Sequence, residues 1–242
     1  MIDRLQAFLG IPHPISPKIN IYSPTIKEIG QIGHINYMVN VQLSLFNKRT
    51  ILLELFKISE EIYTQISNEN DYDVLIDHPD IRNNIANALS FFVKDEVSYR
   101  TDTQSFVVSN EEFINKDNYL LITSIIKKLN GINEDISISS TSHTKPTNSR
   151  AAKMLEKIQS FEKKTASNDE GLELKDICSI LCIAPDNGIN IHNIGDLTVF
   201  QVFEQYERMT KKDEFNRALP IWANGHWNEK NKFPEWLVRT KI

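Results

Sequence analysis

The sequence predicts a mainly α-helical protein of the α+β type, with one small β-hairpin. A helical N-terminal part precedes a small helical C-terminal part. Three observations predict this. Apolar residues recur at helical spacing in most segments, as with Ile81, Ile85, Ala88 and Phe92. The period becomes two only at 97–108, where Val97 and Tyr99 alternate with Ser98 and Arg100, and Phe106 and Val108 alternate beyond T-D-T-Q. A small, polar stretch at 137–149, S-I-S-S-T-S-H-T-K-P-T-N-S, reads as a linker between a domain at 1–136 and another at 150–242.

In chain order, the lead-in is punctuated by Pro12, Pro14 and Pro17, with Ile19 and Ile21 able to form one short strand. A helix is expected from Ser23, with Pro24 at its first position and Thr25 and Glu28 at capping-box spacing. Gly30 and Gly33 weaken it, so a break is expected before 37–46. Segment 51–66 reads as one helix with Leu55, Ile58, Ile62 and Ile66 on a single face, followed by a polar loop at 67–73. A further helix starts near Pro79. After the hairpin, Ile122, Ile125, Ile126 and Leu129 define a helix stopped by Asn130-Gly131.

Beyond the linker, 151–164 is helical through Met154, Leu155, Ile158 and Phe161, and 172–183 is helical up to Pro185. The most individual stretch is 187–209. Gly188 suits a turn. Ile189, Ile191 and Ile194 are expected to point inward from an extended or turn-like connector. Asp196 is placed as N-cap of a helix carrying Val199, Phe203, Tyr206 and Met209, with Leu197 and Phe200 broadening the stripe. That stripe reads as a core face, with a face that docks on a partner as the functional alternative. All three tryptophans, Trp222, Trp227 and Trp236, lie in the tail, where they pack on their own domain or anchor an interface.

The totals narrow the function. Hydrophobic residues make up 40% and charged residues 24% of 242, an ordinary globular composition. A net charge of −5 argues against electrostatic coating of nucleic acid. Cys178 and Cys182 fall at i, i+4 and read as buried small hydrophobes, poorly placed for a disulfide. No signal peptide is visible, and no apolar run is long enough to span a bilayer, so a soluble, non-membrane protein is expected.

Chemistry is sparse. Asp71, Asp73, Asp77, His78 and Asp80 form an acidic cluster, but without the tight glycine turn of a calcium loop. A solvated loop in which Asp77 or His78 caps a helix is the expectation. No two histidines pair at i+3 or i+4, and His192 reads as a structural hydrogen-bonder. No catalytic residue, metal ligand or cofactor is assigned. The helix with Arg150, Lys153, Lys157, Lys163 and Lys164 is modestly basic and diluted by Glu156 and Glu162.

Asn193, Ile194, Leu197, Thr198, Val199, Gln201, Gln205, Tyr206 and Arg208, with Glu204 in place of an aspartate, resemble a phrase recurring in proteins of bacteriophages that infect low-GC Gram-positive bacteria. The segment I-Y-S-P-T-I-K-E-I-G at 21–30 is similar to the opening of such proteins, and Trp236-Leu237 to their tryptophan-bearing tails. The resemblance implies a phage morphogenesis protein of the tail or baseplate assembly type, a chaperone or minor structural component and not an enzyme. Its expected partners are phage tail or baseplate proteins, and self-association is compatible with it. The expected contact residues are Leu197, Phe200, Phe203, Tyr206, Trp222, Trp227 and Trp236. The implied location is the host cytoplasm or the virion. The alternatives are a nucleic-acid-associated phage factor, or an enzyme whose motifs are unrecognised.

Overall fold

The computed structural model describes residues 2–132, 172–185, 187–227 and 231–240. The expected linker at 137–149 and the basic helix at 151–164 lie outside them. The chain forms two compact units, Met1–Asn130 and Gly131–Ile242. It is mainly helical with two small antiparallel sheets, as the periodicity predicts.

In the first unit, α1 (Arg4–Phe8) leads to a two-stranded ladder of β1 (His13–Pro14) and β2 (Asn20–Ile21), with His13 opposite Ile21. Helix α2 (Ile26–Ile32) begins two residues after Pro24, because Thr25 takes the cap. Its hydroxyl accepts from the Glu28 amide at 3.2 Å, and the Glu28 carboxylate accepts from the Thr25 amide at 2.8 Å. The break falls at Gly33, whose φ of +86° suits glycine. Helix α3 (His34–Ser44) follows and packs against α6 (Pro79–Val93). The predicted stripe of α6 is buried at all four positions, and Pro79 opens the helix.

Two expectations fail here. Segment 51–66 is not one helix. Thr50–Leu55 is a π-helical turn, the backbone reverses at Lys57 with φ +52°, and α4 (Glu60–Ile66) starts afresh behind Ser59. None of the expected stripe is buried: Leu55, Ile58 and Ile66 are half-buried and Ile62 is 53% exposed, while the burial falls on Ile51 and Leu52. The acidic cluster is not a loop either. Asn70 caps α5 (Asp71–Asp77), its side-chain oxygen accepting from the Tyr72 amide at 2.9 Å. His78 takes the N-cap position of α6 without a side-chain capping bond.

The hairpin pairs β3 (Val97–Arg100) with β4 (Ser105–Val108), Tyr99 facing Phe106. A third strand, β5 (Glu111–Ile114), pairs with β4 beyond the two-residue turn Ser109-Asn110, both at positive φ. This turn conformation is usually announced by Asn-Gly or Asp-Gly, so its signal is weak in the sequence. Strand β4 is thus central and wholly buried. Its Phe106 joins Phe46, Tyr72 and Tyr119 in an aromatic cluster with ring centroids 5.4–6.3 Å apart. Helix α7 (Tyr119–Leu129) buries Ile122, Ile125, Ile126 and Leu129 and ends before Gly131 at φ +70°, as expected.

In the second unit, α8 (Leu174–Ile183) packs against α9 (Val199–Ala223). Cys178 and Cys182 are free thiols on α8, half-buried where full burial was expected. Burial, with Cys182 nearby, pushes the Cys178 thiol up to about 11. Asparagines shape the connector: the Asn187 amide donates to Leu181 O at 2.8 Å, and the Asn193 amide to Gly188 O at 2.8 Å. Ile194 is buried, but Ile191 is turned outward, against expectation. His192 is exposed, its main-chain N–H bonded to the Asn190 side chain.

Candidate protein-docking surface

The surface is built on α9, and its N-terminal cap corrects the sequence reading. Asp196 lies in a 3₁₀ turn, Ile194–Asp196, and Thr198 is the cap. The Gln201 amide donates to the Thr198 hydroxyl at 3.3 Å, and the Thr198 amide to the Gln201 side chain at 2.8 Å. A threonine with glutamine three residues on closes both bonds at once, which a lone aspartate cannot. The helix runs to Ala223, far past Met209. Pro220 is tolerated near its end because the missing N–H removes only one bond of the last turns.

The two halves of α9 differ. Val199, Phe200 and Val202 are buried, and Phe200 is 3% exposed. Leu197, Phe203 and Tyr206 are half-buried. Within this unit, Gly131 lies against Phe203: a Cβ there would stand 2.7 Å from Phe203 Cδ2. In the second half only Ala218 is buried, while Leu219, Ile221 and Trp222 are exposed, Trp222 at 58%. The structure therefore separates the predicted contact residues: Phe200 serves the unit's own core and Trp222 faces solvent.

The tail residues sequence reasoning missed are Phe233 and its neighbours. The Phe233 ring has its centroid 5.6 Å from Phe215, 5.9 Å from Trp222 and 5.2 Å from Trp227. Trp227 Nε1 donates to Asn231 O at 3.0 Å. Trp236 lies under the Lys212 ammonium, 5.8 Å from its ring centroid. The seven-residue spacing of Phe215 and Trp222, two turns of one face, was the available signal.

Elsewhere two carboxylates of the acidic cluster are engaged in ion pairs. Asp71 lies 3.5 Å from the Lys48 ammonium, and Asp73 2.5 Å from that of Lys116. Among the described residues no three His, Cys, Asp or Glu side chains could hold a metal ion together. Among them, too, no helix is long and apolar enough to cross a membrane.

Residues 163–241 match the family model of the YomV second domain. The match falls within the second unit and takes in all of α8, α9 and the aromatic tail. The family name derives from a Bacillus phage, a coarse pointer to a phage protein. No curated protein and no solved structure matches the chain.

Proposed function

We propose that this chain is a bacteriophage tail or baseplate assembly protein, a chaperone or minor structural component that acts by binding another protein. The observation that carries the reading is the exposed apolar group at the end of α9, Leu219, Ile221 and Trp222, inside the region that matches the YomV second domain. Large apolar side chains clustered on a helix end are costly to leave in water and suited to a partner's pocket. The resemblance of 193–208 and 21–30 to phage morphogenesis proteins supports the same reading. The partner would be a phage tail or baseplate protein, met in the host cytoplasm during assembly. The action proposed is non-enzymatic and without a cofactor.

The test is an affinity pull-down of the tagged chain from phage-infected cells, analysed by mass spectrometry beside a Leu219→Ser/Trp222→Ala variant. Tail or baseplate proteins recovered by the wild type and lost by the variant are expected. Recovery of no tail protein, or equal recovery by both chains, overturns the reading.

A further inference from the structure

Residues 231–240 lie back along α9 and share Trp222 with the surface proposed above. Their main-chain carbonyls accept from basic side chains of the helix. Arg208 Nη1 donates to Trp236 O at 3.1 Å and to Val238 O at 2.6 Å, and Lys211 Nζ donates to Arg239 O at 3.3 Å. Phe233 sits between Phe215 and Trp222, with Trp227 closing a third side. The tail meets Phe215 and Trp222 at 233 and the earlier Arg208, Lys211 and Lys212 over 236–239, so the two run antiparallel.

The clamp has two parts with different selectivity. Every residue has a carbonyl, so Arg208 and Lys211 hold the backbone around the 236–238 bend whatever its sequence. The aromatic seats read side chains: Phe233 and Trp236, three residues apart, meet Phe215 with Trp222 and Lys212 respectively. The clamping side chains are set by the helix itself. Arg208 lies 3.6 Å from Glu204 and Lys211 2.5 Å from Glu207, each one turn earlier. The occupant is less committed than the seat. Of its described residues only Thr240 is buried, and Leu237 is 79% exposed. It joins the helix through Gly225, at φ +72° with open space around the missing side chain.

We propose that the face of α9 from Arg208 to Trp222 is a seat for a peptide with aromatic residues at i and i+3 and a bend at the second of them. The chain's own residues 231–240 fill it as a displaceable strap, and the same segment of a second copy is the competing occupant. A second copy brings the identical F-P-E-W sequence that the seat already fits. Rotation at the 224–225 turn, carrying Trp227 along, converts the closed chain into a donor, the usual route to exchanged dimers.

The probe is a labelled peptide of sequence 231–240, titrated by fluorescence anisotropy into full-length chains. The Phe233→Ala/Trp236→Ala chain, whose strap keeps only its backbone contacts and leaves the aromatic part of the seat empty, is expected to bind it about tenfold or more tightly than the wild type, whose tethered strap competes at high effective concentration. Adding Arg208→Ala is expected to weaken that binding about tenfold, because two charged hydrogen bonds are lost. Mixing the emptied-seat chain with an Arg208→Ala/Trp222→Ala chain is expected to give a one-to-one dimer by light scattering that neither forms alone. Absent peptide binding, binding indifferent to Arg208→Ala, or loss of helical circular dichroism in the emptied-seat chain overturns the seat. Peptide binding without the mixed dimer overturns the second copy as occupant.

Discussion

The Lys48 ammonium lies 3.5 Å from the Asp71 carboxylate while its three N–H donors close the C-terminal end of α4. It donates to Ile66 O at 3.1 Å, to Ser67 O at 2.7 Å and to Glu69 O. Lys48 is 5% exposed, so these carbonyls have little water to turn to if it is removed. A cation at a helix C-terminus also meets the negative end of the helix dipole. The Lys48→Met variant is expected to lose about 2–4 kcal/mol of stability, from orphaned carbonyls and an unpaired carboxylate. Urea unfolding of the two proteins measures this, and a midpoint unchanged from wild type would refute it.

A second buried polar contact joins α3 to the end of α7. The Tyr37 hydroxyl donates to Asn130 Oδ1 at 2.9 Å, and Asn130 Nδ2 donates to Ile126 O at 2.7 Å. Burial raises the Tyr37 pKa, so the hydroxyl stays a donor throughout the range in which the protein is handled. Tyr37→Phe keeps the ring and strands the Asn130 oxygen. The expected loss is about 1–3 kcal/mol, read from the same unfolding experiment.

Gly131 carries two constraints. Its φ of +70° disfavours any L side chain, and an added Cβ would stand 2.7 Å from Phe203 Cδ2. Gly131→Ala is therefore expected to destabilise by about 1–3 kcal/mol, from backbone strain plus displacement of the ring. Gly188→Ala is the control: it has φ +70° but nothing within 4 Å, and is expected to lose less. Equal losses would show that Phe203 yields freely.

Glu28 gives an acid-side dependence. Burial by itself would raise its pKa, but the Lys94 ammonium and the Thr25 amide outweigh it and hold the carboxyl below its ordinary 4.5. A depressed carboxyl binds its proton less readily in the folded than in the unfolded chain. Its contribution is fully present above the unfolded value and is lost as pH falls through the folded one. Glu28→Gln is therefore expected to be less stable than wild type at pH 7, with the gap closing below about pH 4.5. A gap of constant size across that window, by thermal unfolding, would sink the assignment.

Local signals carried much of the fold. Helix α6, the 97–108 hairpin, the Thr25–Glu28 box and the stop after Leu129 were legible because each depends on residues within a few positions of one another. Where the reading failed, a neighbour changed the competition. Thr198 with Gln201 displaced Asp196 as cap, and the positive φ of Lys57 split a segment whose isoleucine spacing looked continuous. The predicted contact residues were a mixture for the same reason: periodicity marks the apolar face of α9 but does not say where along the helix that face is covered.

By itself, then, the sequence determined the helical class, the 97–108 hairpin and the aromatic wealth of the second unit, because periodicity and turn chemistry act over short separations. Only the tertiary structure decided that Phe200 is interior and Trp222 exposed. It also decided that Lys48 crosses to a helix end 18–21 residues away, and that Arg208 holds carbonyls 28–30 residues downstream. Those contacts join residues far apart in the chain, and no local preference specifies which distant carbonyl a long basic side chain will meet.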